Sequence, residues 1–504
     1  MSAQPLGHDP QRVRAVDASI DRAEAFWVFV ILCVAGALRL FALGKEAPWI
    51  DETWTIGWVT SSWHDVFANE IRYLSPSAYY PALKLWLMLL GPSVVAGRLL
   101  SALFGVISLV PCYVLFRQFA NRQAATYALV FVALSTAQIF FSQEIKPYTI
   151  AITVSLVGSV FFARILRGDT SARTYLVFVT AFVCCLYVHL LVGLSLVACH
   201  AAFVSTHTEL RASSKNRIAV VVLIAACAPI VPVVWLNGNP SHMFEIHNLI
   251  PQPSLGYLDR LLFELTGNRW MGVLVLGLTS AGIAQILARS RIHSNTSLLP
   301  RYATTLLIGP PALVFAVSFL HPFFWLRYFA PSLVLVWLFV SIGIHALPKA
   351  LRAVALTIVL SGLIYQDVLY YFLPHKQPLT VLANKIEREK TENDVVLIYP
   401  GYYRPLSFER LLNVDGLTGT FGLPESADPS FLHRPEVSAT RRIFFVKLLD
   451  QDEVALRANA PDAGRYLQEL KVVGFREAGR TVFRCAQIPT NEPYVCAEWI
   501  VMEK

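Results

Sequence analysis

An apolar run followed almost at once by two carboxylates sets the framework of this chain. Residues 26–43 read FWVFVILCVAGALRLFAL, and Pro48-Trp49-Ile50-Asp51-Glu52-Thr53-Trp54 follows four residues later. The run is long enough to cross most of a bilayer. Carboxylates at the mouth of a span are costly to hold near hydrocarbon and seldom occur without a use. Asp51 is therefore a candidate catalytic base, and the alternative is an ordinary polar cap where a helix leaves the membrane.

The composition indicates a polytopic membrane protein. Of the 504 residues, 55% are hydrophobic and 15% are charged, and the mean hydropathy is +0.52. A soluble domain carries about 25% charged residues. The net charge of +8 does not indicate nucleic acid, because the Lys and Arg residues fall largely in short loops, where they set the orientation of the spans.

Loop charge predicts about 11 membrane spans, with a cytoplasmic tail over 1–25 and the C-terminus outside. Tyr79–Leu90 is too short to cross and is expected at the outer surface, within a first outer loop of 44–94. Tyr175–Val204 is too long for one span and is expected to form two short helices that turn near His189. The predicted spans are Phe26–Leu43, Val95–Phe116, Ala124–Phe141, Thr149–Leu166, two within Tyr175–Val204, Ile218–Leu236, Trp270–Leu287, Tyr302–Leu320, Tyr328–His345 and Ala353–Phe372.

After the transmembrane domain, 26–373, charged residues become frequent and apolar runs become shorter. Residues 374–504 therefore predict a small α/β domain outside the membrane. Its expected elements are strands at Asp394–Tyr399, Ile443–Leu448 and Thr481–Ile488 and a helix within Leu456–Val472. No glycine-rich phosphate loop follows the first strand, which argues against a nucleotide site. Cys485 and Cys496 are a candidate disulfide if this region faces an oxidising compartment.

The predicted topology gathers unusual polar residues on the outer face. They are Asp51, Glu52, Arg98, Glu144, Lys146, His189, His321 and Arg327. A transferase needs a carboxylate to deprotonate or hold an acceptor hydroxyl and cations to stabilise a departing phosphate. Asp51 suits the first task, and Arg98, Lys146 and Arg327 suit the second. The alternatives are cations that snorkel to lipid headgroups and a surface pair between Glu144 and Lys146.

A divalent metal ion is a candidate cofactor. His189 is either a metal ligand with Asp51 or Glu52 or a structural histidine. In the loop Asn237–Arg269, the spacing His242-x-x-Glu245-x-His247 resembles a metal cluster, and the alternative is a loop that covers the substrate. The tryptophans near Asp51 suit a sugar or polyprenyl site, or an anchor belt at the membrane interface.

Four stretches carry a resemblance to a known family. They are Asp51-Glu52 after the first span, Tyr79–Ser101 with its Leu90-Gly-Pro-Ser-Val-Val-Ala-Gly-Arg98-Leu-Leu-Ser101, Ser142-Gln-Glu-Ile-Lys-Pro-Tyr148 and Leu186-Tyr-Val-His189. They resemble motifs of the GT-C superfamily, most closely the bacterial family 39-type glycosyltransferases related to protein mannosyltransferases and lipid A aminoarabinose transferases. One stretch departs from that family: Ser75-Pro-Ser-Ala-Tyr-Tyr80 stands where His-Pro-Pro-Leu-Tyr-Tyr is usual.

The resemblance implies an inverting hexosyl- or pentosyltransferase that uses a polyprenyl-phosphate sugar donor. Asp51 would be the base, and Arg98 and Lys146 would be candidates for the phosphate. Together with the chemistry of the other residues, this gives Asp51 and Glu52 as the expected catalytic residues and Arg98, Lys146, Tyr148 and Arg327 as the expected donor contacts. Glu144 and His189 would contact the acceptor or a metal ion.

The implied acceptor is an extracytoplasmic glycan, lipid or protein. The expected location is the inner (plasma) membrane among its lipids, with the active site facing the periplasm or exterior. Two alternatives stay open: a transporter or flippase of lipid-linked sugars, and an inactive scaffold for envelope assembly.

Overall fold

The protein combines a helical bundle with a small C-terminal sheet. The computed structural model describes residues 21–72, 77–230, 265–292, 298–320, 324–399, 420–423, 434–448, 463–486 and 493–504.

The helices up to residue 372 make up the bundle and a layer at one of its ends. They are α1 (Arg22–Leu40), α2 (Ile50–Val59), α3 (Trp63–Arg72), α4 (Tyr79–Leu90), α5 (Val94–Ile107), α6 (Leu109–Phe119), α7 (Arg122–Ala133), α8 (Thr136–Ser142), α9 (Tyr148–Leu166), α10 (Ala172–Val188), α11 (Leu190–Thr206), α12 (Thr208–Ala212), α13 (Ser214–Ala225), α14 (Arg269–Ile292), α15 (Leu298–Val317), α16 (Ala330–Ala346) and α17 (Lys349–Phe372). A 3-10 turn, Leu326–Phe329, precedes α16. Several starts are set locally, because Asp21, Ser93, Asn121 and Ser171 accept hydrogen bonds from backbone N–H groups in the first turns of their helices.

Among the described residues, seven helical segments are long and apolar enough to cross a membrane. Two of them are composite, because α5 and α6 together form one segment and the 3-10 turn continues into α16. Helices α10 and α11 are apolar but have only 17 residues each. They break at His189, as the sequence predicts. The count of eleven spans stays a prediction.

One predicted span is bent. The run Ala124–Phe141 forms α7 and α8, which meet at an angle of 56°. The bend frees carbonyl groups at the end of α7, and the Arg39 guanidinium donates to the carbonyl oxygens of Val132 (3.5 Å) and Ala133 (3.1 Å). A polar side chain that satisfies freed carbonyls is an established cause of a helix kink. The sequence predicts one span here, and its bend could not be predicted because the partner of those carbonyls comes from α1.

The core of the bundle is built around α16. Nearly all of its side chains are buried, and it packs closely against α14. A Cβ atom at Gly282 would lie 2.1 Å from the Phe339 carbonyl oxygen, and one at Gly343 would lie 2.0 Å from that of Leu278. Only glycine allows the two backbones to approach so closely, which is a common solution in membrane helix packing.

Three short helices, α2 to α4, lie at one end of the bundle. Helix α4 holds the end of α2, because the Lys84 ammonium donates to the carbonyl oxygens of Val59 (2.9 Å) and Ser61 (2.6 Å). Tyr79–Leu90 is a helix with the bounds expected of the surface segment. Six of the nine α2 residues whose side chains are described are buried, so most of the surface of this helix is packed against its neighbours.

The C-terminal residues form a five-stranded sheet. Its strands are β1 (Val395–Tyr399), β2 (Thr420–Gly422), β3 (Arg442–Leu448), β4 (Arg476–Ala486) and β5 (Pro493–Glu503), in the order β2-β1-β3-β5-β4. Strand β1 runs parallel to β2 and β3, whereas β5 is antiparallel to β3 and β4. The helices of this part are α18 (Leu379–Glu389), α19 (Pro435–Ser438) and α20 (Ala463–Val472). A disulfide joins Cys485 in β4 to Cys496 in β5.

The sheet is packed on both faces. On one face, α18 contributes Leu382 and Ile386 to an apolar cluster, and the other face packs against Tyr466 and Leu470 of α20. The first cluster also contains Trp49, which belongs to the segment before α2. The segment before α2 is therefore in direct contact with the C-terminal sheet unit, by which we mean α18–α20 and β1–β5. The predicted domain boundary near residue 373 stays a prediction.

Candidate active site

Asp51 lies in the first turn of α2 and faces two cations. Its Oδ2 atom is 3.1 Å from Nη1 of Arg327 and 3.9 Å from Nζ of Lys146. The Asp51 side chain is 35% exposed, whereas those of Arg327 and Lys146 are 17% and 13% exposed. The carboxylate is thus accessible and lies beside more positive than negative charge, which suits an anionic ligand.

Arg327 is held by aromatic groups. Its guanidinium lies 4.6 Å from the ring centroid of Trp325 and 5.8 Å from that of Trp49. Its Nη1 atom donates to the hydroxyl oxygen of Tyr148 at 3.4 Å. Such stacking orients the planar cation. These contacts therefore hold the Arg327 guanidinium in one orientation, in which it faces Asp51.

Tyr148 and His189 form the next layer. The His189 ring lies 5.6 Å from the Tyr148 ring and 5.9 Å from the Tyr328 ring. Tyr148 begins α9, and His189 stands between α10 and α11. The ends of separate helices thus bring both residues to the end of the bundle where Asp51 lies.

Glu52 points away from Asp51 into a buried ionic network. Arg98 donates to its carboxylate from Nε (2.8 Å) and Nη2 (2.7 Å), and the Lys376 ammonium donates at 2.8 Å. The backbone N–H of Ile145 adds a hydrogen bond of 3.1 Å. Lys376 also pairs with Glu144 at 2.7 Å. Two buried carboxylates and two buried cations therefore balance one another, as buried charges must.

Arg98 is committed to this network. Besides its two bonds to Glu52, Nη1 donates to the carbonyl oxygens of Leu43 and Glu46 at 2.9 Å each, and Nη2 donates to that of Ala47 at 3.4 Å. The residue is 2% exposed. Its guanidinium therefore holds the chain segment between α1 and α2 in place through the carbonyl groups of that segment. The expected phosphate contact would require this arrangement to open.

Glu144 is also buried, at 1% exposure. It pairs with Lys376 rather than with Lys146, and it accepts a short hydrogen bond from the indole N–H of Trp49. The expected acceptor or metal contact would therefore have to replace these bonds.

The two carboxyl groups of the network differ in acidity. Burial works to raise the pKa of Glu52, but Arg98 and Lys376 outweigh it and hold the pKa at about 2. Burial raises the pKa of Glu144 to about 7; Lys376 opposes the rise, and the charge of Glu52 adds to it. Glu52 is thus ionised at neutral pH, whereas Glu144 changes its charge near pH 7.

Glu144→Gln is expected to flatten the dependence of stability on pH. The folded-state pKa of Glu144, about 7, lies above its unfolded value, so folding takes up a proton between about pH 4.5 and pH 7. Native stability should fall as pH rises through this window, by roughly 3 kcal/mol from this group. Unfolding of the wild type and the variant in detergent micelles from pH 5 to pH 8 measures the difference. Parallel curves for the two proteins would contradict the shifted pKa.

The described residues do not fit a divalent metal ion at Asp51. Within the described ranges, no group of three or more His, Cys, Asp or Glu side chains is arranged to hold an ion. A dication at Asp51 would also meet the like charges of Arg327 and Lys146. The predicted cluster His242-x-x-Glu245-x-His247, along with Ser75 and His321, lies outside the described residues.

Sequence reasoning missed Lys376. It lies four residues after the end of α17, in a stretch expected only to link the last span to the C-terminal region. One signal was present, because a lysine that close to the outer end of a span runs against the positive-inside rule. Its partners come from residues more than 200 positions earlier, so the sequence alone did not place it.

Comparison with solved structures identifies the fold. The chain superimposes on ArnT from Cupriavidus metallidurans bound to undecaprenyl phosphate with a TM-score of 0.53 and 12% identity, covering 95% of this chain and 98% of that one. It superimposes on the archaeal oligosaccharyltransferase AglB from Archaeoglobus fulgidus, in complex with an inhibitory peptide and a dolichol-phosphate, with a TM-score of 0.51 and 10% identity, covering 94% and 75%. It also superimposes on an A. fulgidus oligosaccharyltransferase in complex with Zn and sulfate. The TM-score is 0.51 at 13% identity, and the match covers 93% of this chain and 73% of that one.

No protein-family model matches the sequence, and no curated protein matches it either. The likeness is therefore one of fold. The chain is a polytopic helical membrane protein with a C-terminal sheet, and its fold is like that of ArnT and the archaeal oligosaccharyltransferase.

Proposed function

We propose that this protein is a glycosyltransferase that moves a sugar from a polyprenyl-phosphate donor to an extracytoplasmic acceptor, with inversion. The observation that carries the proposal is the accessible carboxylate of Asp51 between Arg327 and Lys146. Structures with the same fold were solved with undecaprenyl phosphate or dolichol-phosphate bound, which supports this class of donor.

In the proposed reaction the acceptor hydroxyl attacks the anomeric carbon of the donor sugar. Its oxygen forms the new glycosidic bond, and its proton passes to Asp51. The bond between the anomeric carbon and the phosphate oxygen breaks, and its electron pair leaves with the polyprenyl phosphate. Arg327 and Lys146 stabilise the negative charge that develops on this phosphate. Attack opposite the leaving group inverts the anomeric centre.

The other candidate residues receive supporting roles. Tyr148 would orient Arg327 through its hydroxyl group, and His189 would line the site beside Tyr148. Arg98 and Glu144 are proposed to build the site from within the buried network rather than to touch substrate, because both are almost fully enclosed. The positive charge that the mechanism needs comes from side chains, and no step is assigned to a metal ion.

Aromatic rings beside Asp51 favour an acceptor that carries a sugar. Asp51, Trp54 and Trp58 share the partly exposed face of α2, at helical spacings of three and four residues. The rings of Trp54 and Trp58 lie 6.0 Å apart, and that of Tyr80 lies 5.2 Å from Trp58. Flat aromatic rings pack well on the apolar face of a sugar. A saccharide on a glycan, lipid or protein would therefore place its hydroxyl groups next to the base.

We place the site on the outer face of the inner (plasma) membrane. Lys376 joins the sheet unit to the network beneath the site, and that unit contains the disulfide Cys485–Cys496. Disulfides persist in oxidising compartments such as the periplasm. The sheet unit and the site are therefore expected on the same, extracytoplasmic side.

Purified protein in liposomes is expected to release polyprenyl phosphate from undecaprenyl-phosphate-linked hexose or pentose when a saccharide acceptor is present. Arg327→Gln should raise the KM for the donor about tenfold to a hundredfold, the loss expected for one charge-assisted hydrogen bond. Arg434→Gln, outside the site, is the matched control. Product analysis by mass spectrometry measures transfer. Uptake of lipid-linked sugar without product would indicate a transporter, and stable envelope partners without either activity would indicate a scaffold.

A further inference from the structure

Lys376 joins three parts of the protein at one buried point. It follows α17 and precedes α18, so it belongs to the link between the bundle and the sheet unit. Its side chain is 6% exposed. The ammonium lies 2.8 Å from Glu52 and 2.7 Å from Glu144. One cation therefore binds a carboxylate of α2 and a carboxylate of the loop between α8 and α9.

These two carboxylates are the sequence neighbours of the proposed reacting groups. Glu52 directly follows Asp51, and Glu144 stands two residues before Lys146. The Ile145 N–H, between Glu144 and Lys146, donates to Glu52 at 3.1 Å. Holding Glu52 and Glu144 on one ammonium thus fixes the distance between the segments that carry Asp51 and Lys146.

The link that carries Lys376 is itself firmly held by both sides. The neighbouring His375 donates its backbone N–H to Glu46 at 2.5 Å and its ring contacts the Ala486 carbonyl oxygen at 2.9 Å. Strand β4 contributes a further backbone contact, because the Ala486 N–H donates to the Pro374 carbonyl oxygen at 2.6 Å. Trp49 reinforces the junction by packing in the apolar cluster with α18.

We infer that Lys376 is a positioning residue through which the C-terminal sheet unit sets the geometry of the active site. It touches no substrate in this scheme. It keeps the Asp51 segment and the Lys146 segment in register, so that base and phosphate-binding cation face the same space. The expected loss of kcat rests on the proposed function, whereas the positions of the Asp51 and Lys146 segments can be measured without catalysis.

Lys376→Met is expected to lower kcat about tenfold to a hundredfold, the range that follows from a misplacement of about 1 Å. The KM for the donor should change less than kcat, since Arg327 lies on neither of the two segments that Lys376 holds. Because Lys376→Met leaves the carboxylates with a single cation, it also lowers stability. The double variant Lys376→Met/Glu144→Gln restores the charge balance and is the decisive protein. Lys471→Met, at an exposed position of α20, is the matched control.

Two measurements on the double variant distinguish a positioning role of Lys376 from a role in charge balance alone. The inference expects thermal stability close to that of the wild type, together with a persistent kcat loss and faster hydrogen–deuterium exchange at residues 44–62 and 143–148. Recovery of both kcat and slow exchange would overturn it, because Lys376 would then only balance charge. Arginine at position 376 keeps the positive charge, so Lys376→Arg should retain part of the kcat that Lys376→Met loses. If the wild type transfers no sugar but the variants still show faster exchange, the positioning role stands and the proposed function is overturned instead.

Discussion

Asp51→Asn is expected to lower sugar transfer by about 10²- to 10⁴-fold, the usual contribution of a positioned general base. Asparagine fills the same volume but cannot take the acceptor proton. Affinity for the donor should hold or increase, because Arg327 and Lys146 lose their carboxylate partner and become freer to bind phosphate. The effect should therefore fall on kcat and not on the KM for the donor. Turnover in liposomes with a defined polyprenyl-phosphate donor measures both constants.

Asp65→Asn is the matched control for this experiment. Asp65 lies in the same outer loop, in the first turn of α3, and its side chain is 54% exposed. The same change in chemistry there should leave kcat within a factor of about two, since surface substitutions have small effects. Near-normal turnover in Asp51→Asn protein that inserts and folds would remove Asp51 from the role of base.

Glu52→Gln is expected to cost about 3 to 5 kcal/mol of stability, the range for breaking a buried ion pair. The change leaves two buried cations, Arg98 and Lys376, with Glu144 as the remaining carboxylate of the network, so one buried positive charge is no longer balanced. Denaturant-induced unfolding in detergent micelles at pH 7 measures the loss. Transfer should fall as well, because α2 carries both Glu52 and Asp51.

The control for Glu52→Gln is the same substitution in an exposed ion pair. Glu477 pairs with Arg480 at 2.9 Å on β4, with side chains 33% and 37% exposed. Glu477→Gln should cost less than about 1 kcal/mol. Equal losses for the two variants would mean that the buried network does not hold the outer loop in place.

The general fold was predictable because membrane helices are encoded locally. Apolar runs of suitable length and the charges of the loops identify spans and their alternation without knowledge of partners. The break at His189 followed from the length of the run 175–204, which exceeds one span. The fold class inferred from the residues agrees with the structural neighbours.

The site was predictable only where its residues stand at the ends of spans. Asp51, Lys146 and Arg327 were assigned to one face from topology, and the structure brings them together; their roles stay proposals. Arg98 was also assigned to that face, but its partner depends on how α2 turns. Because Glu52 faces inward, Arg98 is bound within the buried network, and its contact with the donor phosphate stays a prediction.

Long-range pairing explains what the sequence did not reveal. Strand β5 was not predicted, although it lies between β3 and β4 at the centre of one half of the sheet. Lys376 was not predicted because its carboxylate partners are 324 and 232 residues away. Neither contact leaves a periodic pattern in the neighbouring residues, which is the main signal available to sequence reasoning.

The separation between Glu52 and Lys376 also has a consequence for biosynthesis. A chain that grows at about 5 to 20 residues per second needs roughly 16 to 65 seconds to add 324 residues. During that time Glu52 and Trp49 have left the ribosome without the lysine and the apolar cluster that later enclose them. The buried network beside Asp51 can therefore be completed only after α17 and the link to the sheet unit have been synthesised.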